Sequence, residues 1–326
     1  MKHSSSSIFR IMDQYSESAM PFFFIINFLA DEAEVFSEKE LTNSGIEVDF
    51  PNYKTNKNPA ESGIENIEWK AYPCTKEAYE KGFNMVQKHL RRGDSYLVNY
   101  TAKTLVETNL SLKNIFDKAE AKYKMLYPNK FVFFSPETFV EIKDNVISTC
   151  PMKGTIDADI PDAEQKLKND TKEKAEHYTV VDLLRNDLSM VADEVRLKHF
   201  QRIDYLKTTN KNLYAMSSDI EGIIKPKYRK NIGSLLEKLL PAGSILGAPK
   251  PKTLEIILEA EDYERGYYTG ICGYFDGKDL DTCVMIRFIE NHDGKLYFKS
   301  GGGITHMSDL DSEYEEMKNK IYVPIY

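Results

Sequence analysis

The stretch from Thr171 to Val191, TKEKAEHYTVVDLLRNDLSMV, combines a long helical pattern with paired acidic residues. Apolar residues recur along it at helical spacing, and Val180 and Leu183 belong to one stripe. An offset of three residues places Glu173 and Glu176 on one side of the predicted helix, in line with that stripe. The sequence therefore predicts a helix over Thr171–Val191 whose two carboxylates border the core.

A second acidic pair with the same spacing lies near the C-terminus. Ser308-Asp309 can cap a helix on which Glu313 and Glu316 share a face with Lys320. Like charges three residues apart slightly destabilise a helix, and a hard divalent cation with oxygen ligands would account for both pairs. Mg²⁺ is the natural candidate. For either pair taken alone, a solvated helix face is the simpler interpretation.

Three consecutive glycines, Gly301–Gly303, precede the second helix. Such a triplet lets backbone N–H groups approach a carboxylate or phosphate, although a tight turn is its commoner use. The segment Pro241–Lys250, PAGSILGAPK, superficially resembles a nucleotide-binding loop. That motif requires Gly-Lys-Ser/Thr, whereas prolines flank Lys250 here, and the pattern therefore excludes binding of ATP or GTP.

Composition excludes several classes of function. The chain of 326 residues has a formal net charge of −8 and lacks the clustered Lys and Arg that nucleic-acid phosphates require. Its longest apolar stretch, Pro21–Ala30, has about half the length of a bilayer-spanning helix and predicts a buried strand. The four cysteines have no metal-binding spacing and indicate reduced thiols of a cytoplasmic protein. We expect proteins or small molecules as partners, no nucleic acid and no membrane segment.

Turn residues divide much of the remaining chain into short elements. A polar run at 51–62 is predicted to be a mobile loop. The pattern predicts a helix at Lys76–Arg91 and strands at Phe22–Leu29, Ser95–Thr104, Lys130–Phe134, Thr138–Thr149, Gly266–Phe275, Asp281–Ile289 and Lys295–Lys299.

Six motifs in this order resemble the chorismate-binding enzymes, the family of anthranilate, aminodeoxychorismate, isochorismate and salicylate synthases. They are PMKGT, EKAEHYTVVDLLRNDLSMV, PAGSILGAPK, RGYYTGICGYF, DLDTCVMIRF, and GGGIT followed by SDLDSEYEEMKNK. The resemblance implies an α+β fold with two large facing antiparallel β-sheets flanked by helices. It also implies that residues 71–326 are the chorismate-binding catalytic core and that residues 1–70 are a short, strand-containing N-terminal part of the same unit.

The resemblance implies a role for each matching residue. The acidic pairs would hold Mg²⁺, which in turn would bind a carboxylate of chorismate. Glu137 matches the general acid that acts at the C4 hydroxyl of chorismate. The implied metal ligands are Glu173, Glu176, Glu313 and Glu316, and the residues implied around chorismate are Gly154, Thr155, Tyr268, Arg287, Gly301, Gly302, Gly303 and Lys320.

Three positions distinguish activities within the family. Lys153 lies where anthranilate synthases have alanine and where aminodeoxychorismate synthases have a lysine that attacks ring carbon C2. Leu97 replaces the lysine base of isochorismate and salicylate synthases, and it also replaces the glutamine usual in the amino-transferring branches. Ala215 replaces a histidine associated with the release of pyruvate.

The resemblance therefore favours the activity of aminodeoxychorismate synthase component I, on the route to 4-aminobenzoate and folate. None of the four cysteines has the Gly-x-Cys-x-Gly setting of a glutaminase nucleophile. Ammonia is accordingly expected to come from a separate glutamine amidotransferase subunit. The alternatives are anthranilate synthase component I and a non-catalytic chorismate-binding subunit.

Overall fold

The computed structural model describes residues 3–55, 66–206 and 212–325, except for the side chains of residues 3–6, 155, 172 and 206. Most of the loop predicted at 51–62, from residue 56 onwards, lies outside the described residues. The strands, in chain order, are β1 (His3–Ser4), β2 (Phe22–Ile26), β3 (Glu32–Ser37), β4 (Glu47–Asp49), β5 (Trp69–Tyr72), β6 (Leu97–Thr108), β7 (Tyr123–Tyr127), β8 (Phe131–Ser135), β9 (Thr138–Lys143), β10 (Val146–Thr149), β11 (Met152–Asp157), β12 (Ala192–Leu206), β13 (Leu213–Ile224), β14 (Gly247–Ala248), β15 (Ile271–Phe275), β16 (Leu280–Val284), β17 (Phe288–His292) and β18 (Lys295–Ile304). The helices are α1 (Ser5–Glu17), α2 (Glu38–Ser44), α3 (Lys76–Arg92), α4 (Leu112–Lys118), α5 (Ala163–Asn169), α6 (Thr171–Val191), α7 (Ile232–Leu239), α8 (Lys250–Ala260) and α9 (Leu310–Asn319).

The strands form two antiparallel sheets. The first has the order β1-β3-β2-β15-β16-β9-β10-β13-β11, with β12 paired to the other edge of β13. The second has the order β14-β6-β18-β17-β8-β7-β4, with β5 paired to β6. Both sheets draw strands from early and late parts of the chain, so neither can form from a local segment alone.

The side chains of β2 show how the layers pack. Every residue of this strand is fully buried. Phe23 points into the space between the sheets, where an aromatic series runs through Phe50 to Tyr123 of the second sheet, with ring centroids 5.9 and 5.0 Å apart. Phe22 points the other way and packs under α1, 5.8 Å from the ring of Tyr15. Alternate side chains thus fill two apolar layers, one between the sheets and one beneath the helices.

This arrangement confirms the predicted α+β fold with two facing antiparallel sheets and outer helices. None of the described helices is long and apolar enough to cross a membrane. Helix α6 lies against β11, β12 and β13, while α9 lies against β18. The two acidic pairs are therefore brought to the sheets by different helices.

Several predicted strand limits are wrong, and residues with positive φ explain two of the errors. The strand predicted at Asp281–Ile289 is divided into β16 and β17, because Arg287 has a φ of 52° just before β17. The strand predicted at Thr138–Thr149 is a hairpin that turns at Asp144-Asn145, where φ is 51° and 65°. The predicted strand Phe22–Leu29 ends at Ile26, Gly266–Phe275 begins at Ile271, and Lys295–Lys299 continues to Ile304.

Candidate active site

The acidic pair of α6 lies at the first turns of that helix. The side chain of Asp170 caps the helix by accepting a hydrogen bond from the backbone N–H of Glu173, at 2.9 Å. One turn further on, Glu176 is buried, with 8% of its surface exposed. A cap at this position stabilises the turn that carries both carboxylates.

The acidic pair of α9 is positioned in a similar way. Asp309 caps this helix by accepting a hydrogen bond from the backbone N–H of Ser312, at 3.0 Å. Glu313 in the first turn is 2% exposed, whereas Glu316 lies at the surface. Each acidic pair thus contains one buried carboxylate and one that is more exposed. The two buried carboxylates, Glu176 and Glu313, face the sheets.

Three of the four carboxylates lie near two adjacent glycines of β18. A β-carbon added at Gly302 would lie 3.2 Å from Oε1 of Glu316 and 3.5 Å from Oε2 of Glu313. A β-carbon added at Gly303 would lie 3.9 Å from Oε2 of Glu176. Because side chains at adjacent strand positions point to opposite faces, Gly302 leaves room for the α9 carboxylates and Gly303 leaves room on the side of Glu176.

Glu173 lies apart from this group. Its Oε2 would be 2.9 Å from a β-carbon added at Gly154, which has a φ of 76° on β11. Gly154 was expected to contact chorismate, and the structure places it beside the α6 carboxylate. The side chain of Thr155, the next residue in the expected set, lies outside the described residues.

The four carboxylates are of the chemical type that binds a hard cation. Their positions in the structure, however, are not those of a formed metal site. Carboxylate oxygens are the ligands that Mg²⁺ prefers, together with water and oxygens of a bound substrate. In the described part of the chain, no three His, Cys, Asp or Glu side chains are drawn together closely enough to hold a metal ion. Glu176, Glu313 and Glu316 could contribute ligands around Gly302, provided that their side chains rotate and that a substrate carboxylate completes the coordination.

Basic residues lie at the same end of β18. Lys320 donates hydrogen bonds from Nζ to the carbonyl oxygen of Gly301, at 2.8 Å, and to Oε1 of Glu316, at 2.7 Å. Arg287 donates to the carbonyl oxygen of Lys320, at 3.0 Å, and its guanidinium lies 4.9 Å from the ring centre of Tyr322. Two cations thus accompany the carboxylates, as an anionic substrate requires.

Tyr268 is fully enclosed near these charges. Burial raises the pKa of its hydroxyl well above the ordinary value, while the charges of Arg265 and Arg287 lower it and those of Glu261 and Glu137 raise it. The hydroxyl therefore remains protonated at neutral pH and can donate a hydrogen bond. These influences also place Glu137 and Arg287 within electrostatic range of the same tyrosine.

Glu137 is held by a segment for which the sequence suggested no role. Its Oε1 accepts a hydrogen bond of 2.6 Å from the hydroxyl of Ser244, which lies in the 3₁₀ turn Gly243–Ile245 of the PAGSILGAPK motif. Its backbone N–H donates to Oγ of Ser135, at 3.1 Å. Sequence reasoning missed Ser244, because 107 residues separate it from Glu137.

Lys153 of the PMKGT motif lies in β11. It is half-buried and pairs with Met216 of β13, and the register shifts between Lys153 and residue 155. The shift coincides with the left-handed backbone of Gly154, a conformation that glycine adopts without strain. The bulge fixes the direction of the Lys153 side chain.

His177 of α6 is a further buried polar residue that sequence reasoning missed. Burial lowers the pKa of its imidazole to about 4, with a smaller contribution from the charge of Lys153. The ring is therefore neutral at pH 7, and Lys153 is near enough to influence it.

The two departures from the family pattern, Leu97 and Ala215, are both buried. Leu97 is buried, and its Cδ1 would be 3.0 Å from a β-carbon added at Gly303. Ala215 is buried on β13, opposite residue 155 of β11. Apolar side chains thus occupy both positions where other branches of the family have polar ones.

Comparison with known proteins agrees with this fold. The family model described as chorismate binding enzyme matches residues 21–325. The chain therefore belongs to the chorismate-binding enzymes.

Three proteins illustrate the similarity. An uncharacterised PabA-like protein of Pasteurella multocida is 44% identical over 96% of this chain and 97% of its own length. Aminodeoxychorismate synthase component 1 of Salmonella typhimurium is 30% identical over 76% of this chain and 56% of its own length. The solved structure of anthranilate synthase component I from Streptococcus pneumoniae has a similar fold, with a TM-score of 0.68, 24% identity, and coverage of 81% of this chain and 62% of that protein.

Proposed function

We propose that this protein converts chorismate and ammonia to 4-amino-4-deoxychorismate, the precursor of 4-aminobenzoate in cytoplasmic folate synthesis. The observation that carries the proposal is Lys153, a half-buried amine on a bulged strand that packs against the acidic helix α6. The similarity to aminodeoxychorismate synthase component 1 supports the same chemistry.

Binding comes first in the proposed mechanism. Arg287 presents a planar guanidinium to a carboxylate of chorismate, and the backbone of Gly301–Gly303 lets the substrate approach β18 closely. Glu176, Glu313 and Glu316, with Glu173 nearby, would hold Mg²⁺, which would supply positive charge to the second carboxylate. Tyr268 and Lys320 lie beside these groups and complete the polar surroundings.

The chemical steps then need one nucleophile and one acid. The neutral amine of Lys153 forms a bond to ring carbon C2, while Glu137 gives its proton to the C4 hydroxyl, which departs as water as the ring double bonds shift. Ammonia next forms a bond to C4, the double bonds return, and the bond from C2 to Lys153 breaks. Lys153 leaves as the neutral amine, and the one proton that the added ammonia nitrogen releases restores the acid form of Glu137. Overall, ammonia replaces water.

The proposal is tested by looking for the covalent intermediate. We expect a fraction of chains incubated with chorismate and Mg²⁺, without ammonia, to become heavier by the mass of chorismate minus water, with the addition mapped to Lys153. Lys153→Ala should lose both the adduct and most turnover. Lys153→Arg should fail as well, because guanidinium stays protonated and cannot attack.

Lys166→Ala serves as the matched control, because Lys166 is an exposed lysine on the neighbouring helix α5. It should retain both the adduct and turnover. Full ammonia-dependent turnover by Lys153→Ala would overturn the covalent role. Substantial activity of Lys153→Arg without any adduct would reduce Lys153 to a partner for a substrate carboxylate.

The mass of the product separates the proposal from its alternatives. The proposed product keeps the enolpyruvyl group, consistent with alanine at position 215, whereas anthranilate would show that pyruvate is released. Leu97 cannot deprotonate water, so isochorismate is not expected, and abundant isochorismate would overturn the assignment. Chorismate binding without any turnover would indicate a non-catalytic subunit.

A further inference from the structure

His177 lies on the side of the first sheet that Lys153 faces. Lys153 is the cross-strand partner of Met216, and Met216 shares a sheet face with Ser218, two residues along β13. Ser218 in turn lies 2.7 Å, Oγ to Nε2, from His177 on α6. The amine of Lys153 and the imidazole of His177 therefore occupy the same layer between α6 and the sheet.

The hydrogen bonds of Ser218 determine which nitrogen of His177 carries the proton. Oγ of Ser218 accepts the backbone N–H of Gln201, at 3.0 Å. The hydroxyl of Ser218 donates its own hydrogen bond to Nε2 of the neutral ring. The imidazole proton therefore lies on Nδ1. Gln201 has a φ of 51° where the register of β12 shifts, so a bulge delivers its N–H to Ser218.

The second ring nitrogen has no equivalent partner. His177 is fully buried, and within residues 3–55, 66–206 and 212–325 its Nδ1 makes no hydrogen bond. A buried N–H without an acceptor is costly, and such groups in native proteins usually have a water or ligand as their partner. The charge of Lys153 acts on this ring, so a ligand bound beside that amine brings its oxygen atoms into the same layer as Nδ1.

We propose that the Nδ1–H of His177 donates a hydrogen bond to an oxygen atom of the chorismate bound beside Lys153. This inference rests on the proposed function only for placing chorismate at Lys153. His177 is then a substrate-binding residue, and Ser218 is a positioning residue that fixes its tautomer.

Two amide substitutions separate the roles of the two ring nitrogens. The short side chain of Asn places its amide nitrogen near the position of Nδ1, whereas the longer Gln reaches toward that of Nε2. His177→Asn thus keeps the donor for chorismate and loses the hydrogen bond with Ser218. His177→Gln keeps the hydrogen bond with Ser218 and loses the donor for chorismate. His177→Phe removes both hydrogen-bonding functions and keeps an aromatic ring.

The measurement is the dissociation constant for chorismate with Mg²⁺ in a Lys153→Ala background, which cannot form a covalent adduct. We expect His177→Gln and His177→Phe to bind chorismate about tenfold or more weakly than His177 itself. His177→Asn should stay within about threefold of it. Thermal unfolding of each variant checks that the fold is retained.

The remaining outcomes overturn the inference. If His177→Gln binds normally and His177→Asn does not, the imidazole acts through Ser218 as a structural group. Equal affinities in all variants show that a buried water, not chorismate, accepts from Nδ1. Absence of chorismate binding in unmodified chains overturns this inference as well, whereas binding without an adduct on Lys153 contradicts only the proposed function.

Discussion

At the scale of single residues, the three glycines of β18 serve different purposes. A β-carbon at Gly301 would lie 2.2 Å from the backbone oxygen of Tyr100 on the paired strand, so this glycine is required for the two strands to pair. At Gly302 the nearest atoms are the ends of acidic side chains, which can move. The triplet is continuous strand, not the tight turn that its composition commonly indicates.

Alanine substitutions should therefore separate folding from function. Gly301→Ala is expected to lower the free energy of unfolding by about 1–3 kcal/mol, because a backbone atom must move. Gly302→Ala should change unfolding by less than about 1 kcal/mol and still reduce kcat/KM for chorismate, because its methyl group occupies the space between the carboxylates. Denaturant unfolding and steady-state kinetics measure the two effects, and equal losses of stability would contradict the distinction.

The buried carboxylates should control the response to Mg²⁺. Glu176→Gln and Glu313→Gln are expected to raise the Mg²⁺ concentration for half-maximal activity by about tenfold or more, because each removes a charged oxygen ligand. Glu315→Gln is the control on α9, since Glu315 is exposed and pairs with Lys318. A chelator should abolish activity, and added Mg²⁺ should restore it. An unchanged Mg²⁺ dependence in both buried variants would remove these residues from the site.

At the scale of elements, local signals in the sequence predicted α6 well and the strand limits poorly. The periodicity and the cap at Asp170 define α6 over Thr171–Val191 as predicted. One strand error falls at Arg287, which has a left-handed backbone conformation that its residue type does not predict. That conformation is held by tertiary contacts, including the hydrogen bond from Arg287 to the backbone of Lys320.

The candidate site was predicted where residues fall within motifs and missed where distant segments meet. Glu176 and Glu313 could be named from helical spacing and family resemblance. The contacts of Ser244 with Glu137, and of Ser218 with His177, join residues that are 107 and 41 positions apart. Such pairs leave no local pattern, because sheet pairing brings them together.

The far end of α6 should stabilise the segment that holds Glu137. Asp187 forms a buried ion pair of 2.7 Å with Lys250, which also donates to the carbonyl oxygen of Leu239. Burial raises the pKa of Asp187 to about 6 and lowers the pKa of Lys250. The charge of each partner opposes this effect and stabilises the charged form of the other. The pair connects α6 to α7 and α8 around the turn that contains Ser244.

We expect the two charges to be strongly coupled. Asp187→Leu or Lys250→Met alone should destabilise the protein by about 3–5 kcal/mol, because either change leaves a buried charge unpaired. The double variant should recover much of this loss, since two apolar side chains replace the pair. A double-mutant cycle in denaturant measures the coupling, and additive losses would show that the ion pair contributes little.

At the scale of the whole molecule, the surroundings of the four cysteines indicate whether this chain can release ammonia from glutamine. Cys272 and Cys283 are buried opposite each other in β15 and β16, with their sulfur atoms 3.5 Å apart. Burial raises the pKa of Cys283 and of Cys74, and it raises that of Cys150 to about 11. A glutaminase nucleophile needs an accessible thiolate, which none of these surroundings favours.

Glutamine should therefore fail as a nitrogen source for this chain alone. We expect ammonium salts with chorismate and Mg²⁺ to support product formation, at a rate that rises with pH because only unprotonated ammonia is nucleophilic. Glutamine should support it only after a separate glutamine amidotransferase subunit is added. Ammonia-dependent turnover should survive Cys150→Ser, because the thiol takes no part in the reaction at Lys153. Glutamine-dependent product formation by this chain alone, lost in Cys150→Ser, would show instead that the chain releases ammonia itself.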